Sequence, residues 1–574
     1  MMPNFASRSI LPAGRSRLLA AFLLLALLGL VGRAAYLQGM HNGFLQQKGE
    51  SRYSRVIEMS AHRGMITDRH GEPLAISTPV ESVWASPQDM DATSTQIKKL
   101  ADLIGMNVAE ARKRVSGSQR DFVYLKRHLP PEIAAKVVEL NMSGVFLRRE
   151  FRRYYPAGEL TAHMLGFTDV DDNGQEGIEL AWQDALAGKP GSRRVIKDRK
   201  GRIVEDVESI RAPRPGKDIA LSIDSKIQYL AYRELKQAVE ASKAKAGGIV
   251  VLDAQTGEVL ALANLPTYNP NNRARMGGAR ARNRALTDVF EPGSTLKPFT
   301  VAAALEAGQI EPDTIFQTAP GTLTIGKATI RDSHREGPLT VAQVVQKSSN
   351  VGAAKIALSL PPKRLWEMLS HSGFGVSTGS GFPGEVTGRL RPHRTWRPIE
   401  QATMSYGHGI SVSLLQLARA YTLFSTEGEL KPVSLLKLDV PVVGERVISR
   451  DTALAVSRML EMVVRPGGTA PRAQISGYRV AGKTGTAHKL EGNGYAKNRY
   501  ISTFVGYAPA SSPRLIIAVM LDEPSAGQYF GGVVAAPVFS QVMAGALRIL
   551  SVPHDASTSN IVSFPAAPES QGDV

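Results

Sequence analysis

Residues 18–32 read LLAAFLLLALLGLVG, an uninterrupted apolar run of 15 residues, and no other segment limits this chain as strongly. Letting Arg33 snorkel toward the interface and counting the AAYL that follows extends the run to about 20 residues, the length that crosses a bilayer as a helix. The seventeen residues before it carry Arg8, Arg15 and Arg17 and no acid. Positive charge on that side predicts a cytoplasmic segment over 1–17 and a single-pass transmembrane anchor over 18–37, with everything beyond Leu37 outside the cytoplasmic (inner) membrane. The alternative is a cleaved leader, because Gly32 and Ala34 are small residues at the spacing of a cleavage site, although Arg33 lies inside it. Both readings export the rest of the chain.

At 574 residues that exported part is long enough for two or three domains with real cores. Lys and Arg number 69 against 52 Asp and Glu, a net charge of +17, which suits an anionic lipid, an anionic polymer or nucleic acid. No zinc-ligand spacing and no aromatic RNA-binding run occurs, so a lipid or cell-wall surface is expected and a nucleic acid is not. The absence of cysteine excludes disulfides, thiol catalysis and thiolate metal sites. No metal or cofactor is expected.

Residues 38–54 are polar, and from 55 to 214 short strand-like runs alternate with two helical patterns. In 94–105, Ile97, Leu100, Leu103 and Ile104 recur at helical spacing and Gly105 ends the pattern. The stretch 130–144 opens on Pro and closes on Gly. The basic, Pro/Gly-rich RAPRPGKD (211–218) predicts a hinge, so 38–214 is expected as one module and 215–552 as the next. In the second module, 247–253 and 258–264 flank the turn AQTG and read as an antiparallel hairpin, and 501–510 with 514–522 read as another. Apolar helical patterns such as 300–308 and 413–425 lie between them. Antiparallel strands at both ends with helices between predict an α+β fold rather than a doubly wound sheet. Residues 553–574, rich in Ser, Pro and Ala, predict a disordered tail.

Three short motifs in that second module carry chemistry. Serine–lysine acyl transfer needs a nucleophile beside a neutral amine, a proton relay, and donors for an oxyanion and a carboxylate; its signature is S-x-x-K, then S-x-N, then K-[ST]-G. S-x-x-K occurs three times here, at Ser242, Ser294 and Ser434, but only FEPGSTLKPFT (290–300) opens a plausible helix. Pro298 lacks the amide that would bond the Ser294 carbonyl, which puts Ser294 on the first turn and Lys297 on the same face. Alone, that pair reads equally as a helix cap with a solvated lysine. KSSNVG (347–352) holds the only S-x-N, Ser348 to Asn350, before an apolar helical stretch, where the plain alternative is an N-cap. VAGKTGTA (480–487) holds the only K-[ST]-G; Lys483 supplies positive charge, and Gly482 and Gly485 suit a strand that a substrate backbone approaches closely. Two motifs unique in the chain, in the right order and on suitable elements, make the dyad catalytic.

With these motifs, the chain resembles the class B penicillin-binding proteins, specifically the division-type transpeptidases of the penicillin-binding protein 3 (FtsI) family. The resemblance extends over nearly all of the chain beyond the anchor: AHRGMITDRHGEPLA (61–75), RRYYPAGELTAHMLGF (152–167), GQEGIE (174–179), KDRKGR (197–202), PTYNPNNRAR (266–275) and NRALTDVFEPGSTLKP (283–298). It implies a membrane-anchored pedestal or dimerisation-type module followed by a transpeptidase domain with an antiparallel sheet and packed helices, like serine β-lactamases. It further implies a D,D-transpeptidase that cross-links peptidoglycan stem peptides ending in D-Ala-D-Ala at the septum and is acylated by β-lactams. Ser294 is then the nucleophile, Lys297 its base, Ser348 the relay and Asn350 the group that orients Lys297 and the donor. Lys483 keeps Lys297 neutral, the backbone amides of Ser294 and Thr486 form the oxyanion hole, and Thr484 and Thr486 bind the terminal carboxylate. Gly485, Tyr406, His408 and Ser333 complete the implied substrate-binding set. A membrane glycosyltransferase of the FtsW type and other division proteins are the implied partners.

His408 stands where relatives commonly carry a second Tyr, His488 where Lys or Arg is common, and Ser333 and His334 after IRD are also unusual. These departures point to a specialised second copy with altered β-lactam preference. A β-lactamase would need a Glu in an E-x-x-L-N context, and EGELK (427–431) lacks the Asn. A non-catalytic division scaffold is the rival from another class, and the intact motifs speak against it.

Overall fold

The computed structural model describes residues 13–40, 54–116, 120, 122–197, 203–273, 276–492 and 494–557. Residues 1–12 of the expected cytoplasmic segment, 41–53 after the anchor, 198–202 and 274–275 in two signature runs, and 558–574 of the expected tail lie outside the described residues. Helix α1 (Ala13–Ala35) runs on into one π-helical turn, Tyr36–Met40. Its apolar span, Gly14–Gln38, has no buried residue and is 25 residues long, enough to cross a bilayer. The chain thus carries one exposed apolar anchor helix among its described residues. The other helical stretch of comparable apolarity, Gly531–Ile549, is mostly buried in the core.

The chain forms two compact units. One gathers 1–61, 79–151 and 189–214. Here the predicted helices appear as Ser94–Leu103, closed by a Thr93–Gln96 capping box, and Pro131–Glu139 with Pro at its first turn. They pack with Val83, Leu125 and Leu129 of paired strands into a small core of their own. The second helix ends at Glu139, five residues before Gly144, with Leu140 as its C-cap and Asn141 at a positive φ.

The other unit gathers 62–78, 152–188 and 215–574. Arg63 and Arg153, from two of the runs that carry the family resemblance, are buried inside it. Arg63 is 1% exposed and donates from Nε to Glu179 at 2.7 Å, while Arg153 donates to the other carboxylate oxygen at 2.6 Å. Asp68 accepts from the amides of His70, Glu72 and Ser225 and from the Ser225 hydroxyl. These bonds hold its carboxyl below the ordinary range against the burial that pushes it up.

The sheet of this unit joins both predicted hairpins: β1 (Ala246–Asp253), β2 (Val259–Leu265), β3 (Ala481–Glu491), β4 (Gly494–Ala508) and β5 (Leu515–Asp522) lie in the order β2-β1-β5-β4-β3, antiparallel throughout. Every residue of β1, β2 and β5 is buried, so these strands are covered on both faces despite being antiparallel. Helices α2 (Ser225–Ala241) and α6 (Ala536–Ile549) pack together so closely that a Cβ at Gly545 would meet Leu230 at 2.4 Å. Between the hairpins run α3 (Lys297–Glu306), α4 (Val341–Lys347) and α5 (Asn350–Leu358). The α+β expectation holds, and it places β3 at the sheet's outer edge.

Candidate active site

Ser294 lies on a 3-10 turn, Gly293–Leu296, immediately before α3, and Pro298 takes the first turn of that helix where its missing amide costs nothing. The helix therefore starts three residues later than the expected limit, with Ser294 on the tight turn that feeds it. Lys297 is 0% exposed. Burial first, and the nearby Lys483 second, hold its amine far below the usual lysine range, against an opposing pull from Asp332. A depression of that kind favours the neutral amine, the form a general base requires.

The amine of Lys297 donates to the carbonyl of Ser348 and lies 3.1 Å from its Oγ. Lys483, also wholly buried, reaches the same Oγ at 2.9 Å from β3. Burial brings Lys483 down to about 7, so its charge is titratable rather than fixed. Ser348 takes this position because it ends α4 in the left-handed region, at φ 60°. Ser349 then caps α5 by accepting from the Gly352 amide.

Asn350 makes no hydrogen bond to Lys297. Its side-chain amide donates to the Arg331 carbonyl at 2.9 Å, and its backbone amide donates to Asp332. Asp332 also accepts from Val351 N at 3.0 Å and Ser349 Oγ at 2.7 Å. That acid was given no role in the sequence, although it ends the noted IRD, because its role depends on a fold-back from 17 residues away. Ser333, beside it, is exposed.

In β3, Thr484 Oγ1 lies 2.9 Å from Thr469 Oγ1, and Thr486 Oγ1 accepts from the Gly531 amide at 3.0 Å. Both hydroxyls are thus already oriented by neighbours. Gly482 and Gly485 leave room for the chain's own neighbouring atoms. A Cβ at Gly485 would lie 2.8 Å from the Pro292 carbonyl of the nucleophile turn and 2.2 Å from Thr503 Oγ1, and one at Gly482 would strike the Phe504 ring at 2.6 Å. The amide nitrogen of Thr486 is 3.7 Å from where a Cβ on Gly293 would sit, so the K-T-G strand and the nucleophile turn face each other across that contact.

Tyr406 and His408 form one wall, their rings 5.1 Å apart and edge-on. Burial, then Lys297 and His488, lower His408 to about 4, so it is uncharged at neutral pH. His488 stands on β3, its Nδ1 3.1 Å from the Ala496 carbonyl and its ring 4.6 Å from Tyr500. Glu291 and Tyr495, which the sequence did not mark, meet at the same wall, the Tyr495 hydroxyl 3.0 Å from Glu291 Oε2.

Comparison with known proteins finds two family models that match this chain. The model of the penicillin-binding protein transpeptidase domain matches residues 247–544, and that of the penicillin-binding protein dimerisation domain matches 58–221. The chain is similar to the probable peptidoglycan D,D-transpeptidase PenA of Neisseria meningitidis, 45% identical over 91% of this chain and 90% of that one. It is 44% identical to the peptidoglycan D,D-transpeptidase FtsI of Escherichia coli K12 over 95% of this chain and 93% of the relative. A solved transpeptidase domain of Burkholderia pseudomallei penicillin-binding protein 3 superposes with a TM-score of 0.55 at 51% identity, covering 58% of this chain and 98% of that domain.

Proposed function

The chain belongs to the family of penicillin-binding protein transpeptidases, and on that premise we propose how it works as a peptidoglycan D,D-transpeptidase: through an acyl-enzyme on Ser294, formed from a donor stem at the septum. The observation that carries the reading is the buried, depressed Lys297 amine on the Ser348 hydroxyl that Lys483 also touches. Ser294 attacks the penultimate D-Ala carbonyl, and Lys297 takes the hydroxyl proton. The amides of Ser294 and Thr486 receive the oxyanion. Ser348, between the two lysines, passes a proton to the departing D-Ala nitrogen. The ester then yields its acyl group to an amine of a neighbouring stem.

As the outermost strand of its sheet, β3 is open to an extended donor that adds along its edge. Thr484 and Thr486, with Lys483 beside them, suit the donor's terminal carboxylate, and Asn350 suits its amide. A β-lactam presents the same acyl group and carboxylate and would leave Ser294 acylated. The anchor α1 tethers the chain to the membrane, with its catalytic unit on the outer side as the charge of 1–17 implies. A glycosyltransferase of the FtsW type and other division proteins are proposed partners by family resemblance alone.

The test is to incubate full-length protein in detergent with a disaccharide pentapeptide and read products by mass spectrometry. Free D-Ala and a cross-linked dimer are expected, both lost in Ser294→Ala. Release of D-Ala with no dimer at any acceptor concentration would reduce the enzyme to a carboxypeptidase.

A further inference from the structure

Five glutamates are buried among the described residues: Glu150, Glu179, Glu258, Glu291 and Glu461. Four are paired with arginine, Glu150 with Arg127, Glu179 with Arg63 and Arg153, Glu258 with Arg69, and Glu461 with Arg479. Glu291 is the exception. It is 7% exposed, and its oxygens accept only from neutral donors, Gly409 N at 2.8 Å and Tyr495 OH at 3.0 and 3.2 Å. In a chain of net charge +17, a buried glutamate with no basic partner, and with fewer donors than the four that hold Asp68, needs a reason.

Its surroundings suggest one. The Tyr495 hydroxyl touches the carboxylate, and the ring of His408 lies 5.6 Å from Tyr495 and 5.1 Å from Tyr406, so three rings follow one another from Glu291. Carboxylate and aromatic faces together are the chemistry that holds an organic ammonium. The location is specific as well. Glu291 precedes Ser294 by three residues, and the Tyr406–His408 loop abuts the nucleophile turn, where a Cβ on Gly407 would lie 2.2 Å from the Gly293 carbonyl.

Resting on the transpeptidase reading, we propose that Glu291, with the rings of Tyr406, His408 and Tyr495, forms an acceptor subsite that binds the ammonium of the stem peptide about to receive the acyl group. The subsite gathers the cationic acceptor beside the Ser294 ester, where its ammonium gives a proton to Lys297 and the free amine then attacks, whereas Lys483 takes the donor's anionic end. Burial raises the Glu291 carboxyl above its ordinary range, and a cation bound against it favours the ionised form. The Tyr495 hydroxyl occupies one lone pair and leaves others for the incoming ammonium.

The experiment uses full-length protein with an acyl-D-alanyl thioester donor, whose thiol release reports acylation, and two nucleophiles. One is a cationic amine acid, D-lysine; the other is hydroxylamine, uncharged at neutral pH. The ratio of transfer product to hydrolysed acid does not depend on how much enzyme is active, so it survives partial misfolding. For Glu291→Gln this ratio is expected to fall about tenfold with D-lysine and to stay within about twofold with hydroxylamine. Tyr495→Phe, which keeps the ring and frees the carboxylate, should hold or raise the D-lysine ratio. An equal fall for both nucleophiles in Glu291→Gln, or no fall for either, overturns the subsite. Wild type that releases no thiol overturns the transpeptidase reading itself.

Discussion

Lys297 and Lys483 converge on one hydroxyl, their Nζ atoms 3.1 and 2.9 Å from Ser348 Oγ. Two ammonium groups cannot share that space in the buried interior, so the pair must carry less than two charges. Burial and Lys483 put the deficit on Lys297, which is the state a general base requires.

A pH profile follows from this. The second-order rate of β-lactam acylation reports the free enzyme. It should rise as Lys297 loses its proton, well below the usual lysine range, and fall through about 7 as Lys483 loses its charge. Lys483→Arg keeps the charge at all accessible pH, so its alkaline limb should move upward. A wild-type rate flat through the neutral range and beyond would remove the charge of Lys483 from acylation.

Asp332→Ala removes an acceptor for the first amides of α5 and should cost on the order of 1 kcal/mol in urea denaturation. Its charge also raises the Lys297 amine. Without it Lys297 loses its proton at still lower pH, so the acid limb of the acylation profile should shift downward. An upward shift would reverse the assigned sign.

Gly485→Ala forces a methyl toward the Pro292 carbonyl and Thr503. Overpacking of this kind costs roughly 1–3 kcal/mol, and here it displaces the turn that carries Ser294. Labelling by a fluorescent penicillin should slow by at least about tenfold, since small misplacements of reacting groups cost that much or more. An unaffected labelling rate would show that the turn tolerates the shift.

Glu179→Gln leaves Arg63 and Arg153 without their shared counter-charge in a buried setting. Loss of one partner from such a cluster costs on the order of 3 kcal/mol. Chemical denaturation of the catalytic unit's transition should show it, with the acylation rate per folded molecule little changed.

The dyad, the S-x-N turn and the K-T-G strand were legible because each is a local spacing, and two are unique in the chain. The two hairpins were legible because their strands are contiguous apolar runs. The residues that were missed act across long separations: Tyr495 lies 204 positions from Glu291, and Asp332 lies 17 before Ser349. Asn350 shows the converse, since proximity in a motif suggested contact with Lys297. The left-handed Ser348 instead sends the Asn350 amide to Arg331. The glycines of K-T-G were read as room for a substrate, whereas the atoms that need the room belong to the chain's own nucleophile turn and β4.

Peptide mapping by mass spectrometry after exposure to benzylpenicillin tests the central claim most directly. A single stable penicilloyl adduct on Ser294, absent from Ser294→Ala and from Lys297→Ala on the same time scale, is the predicted result. An adduct on another residue, or one that forms as fast without the Lys297 amine, would contradict the account.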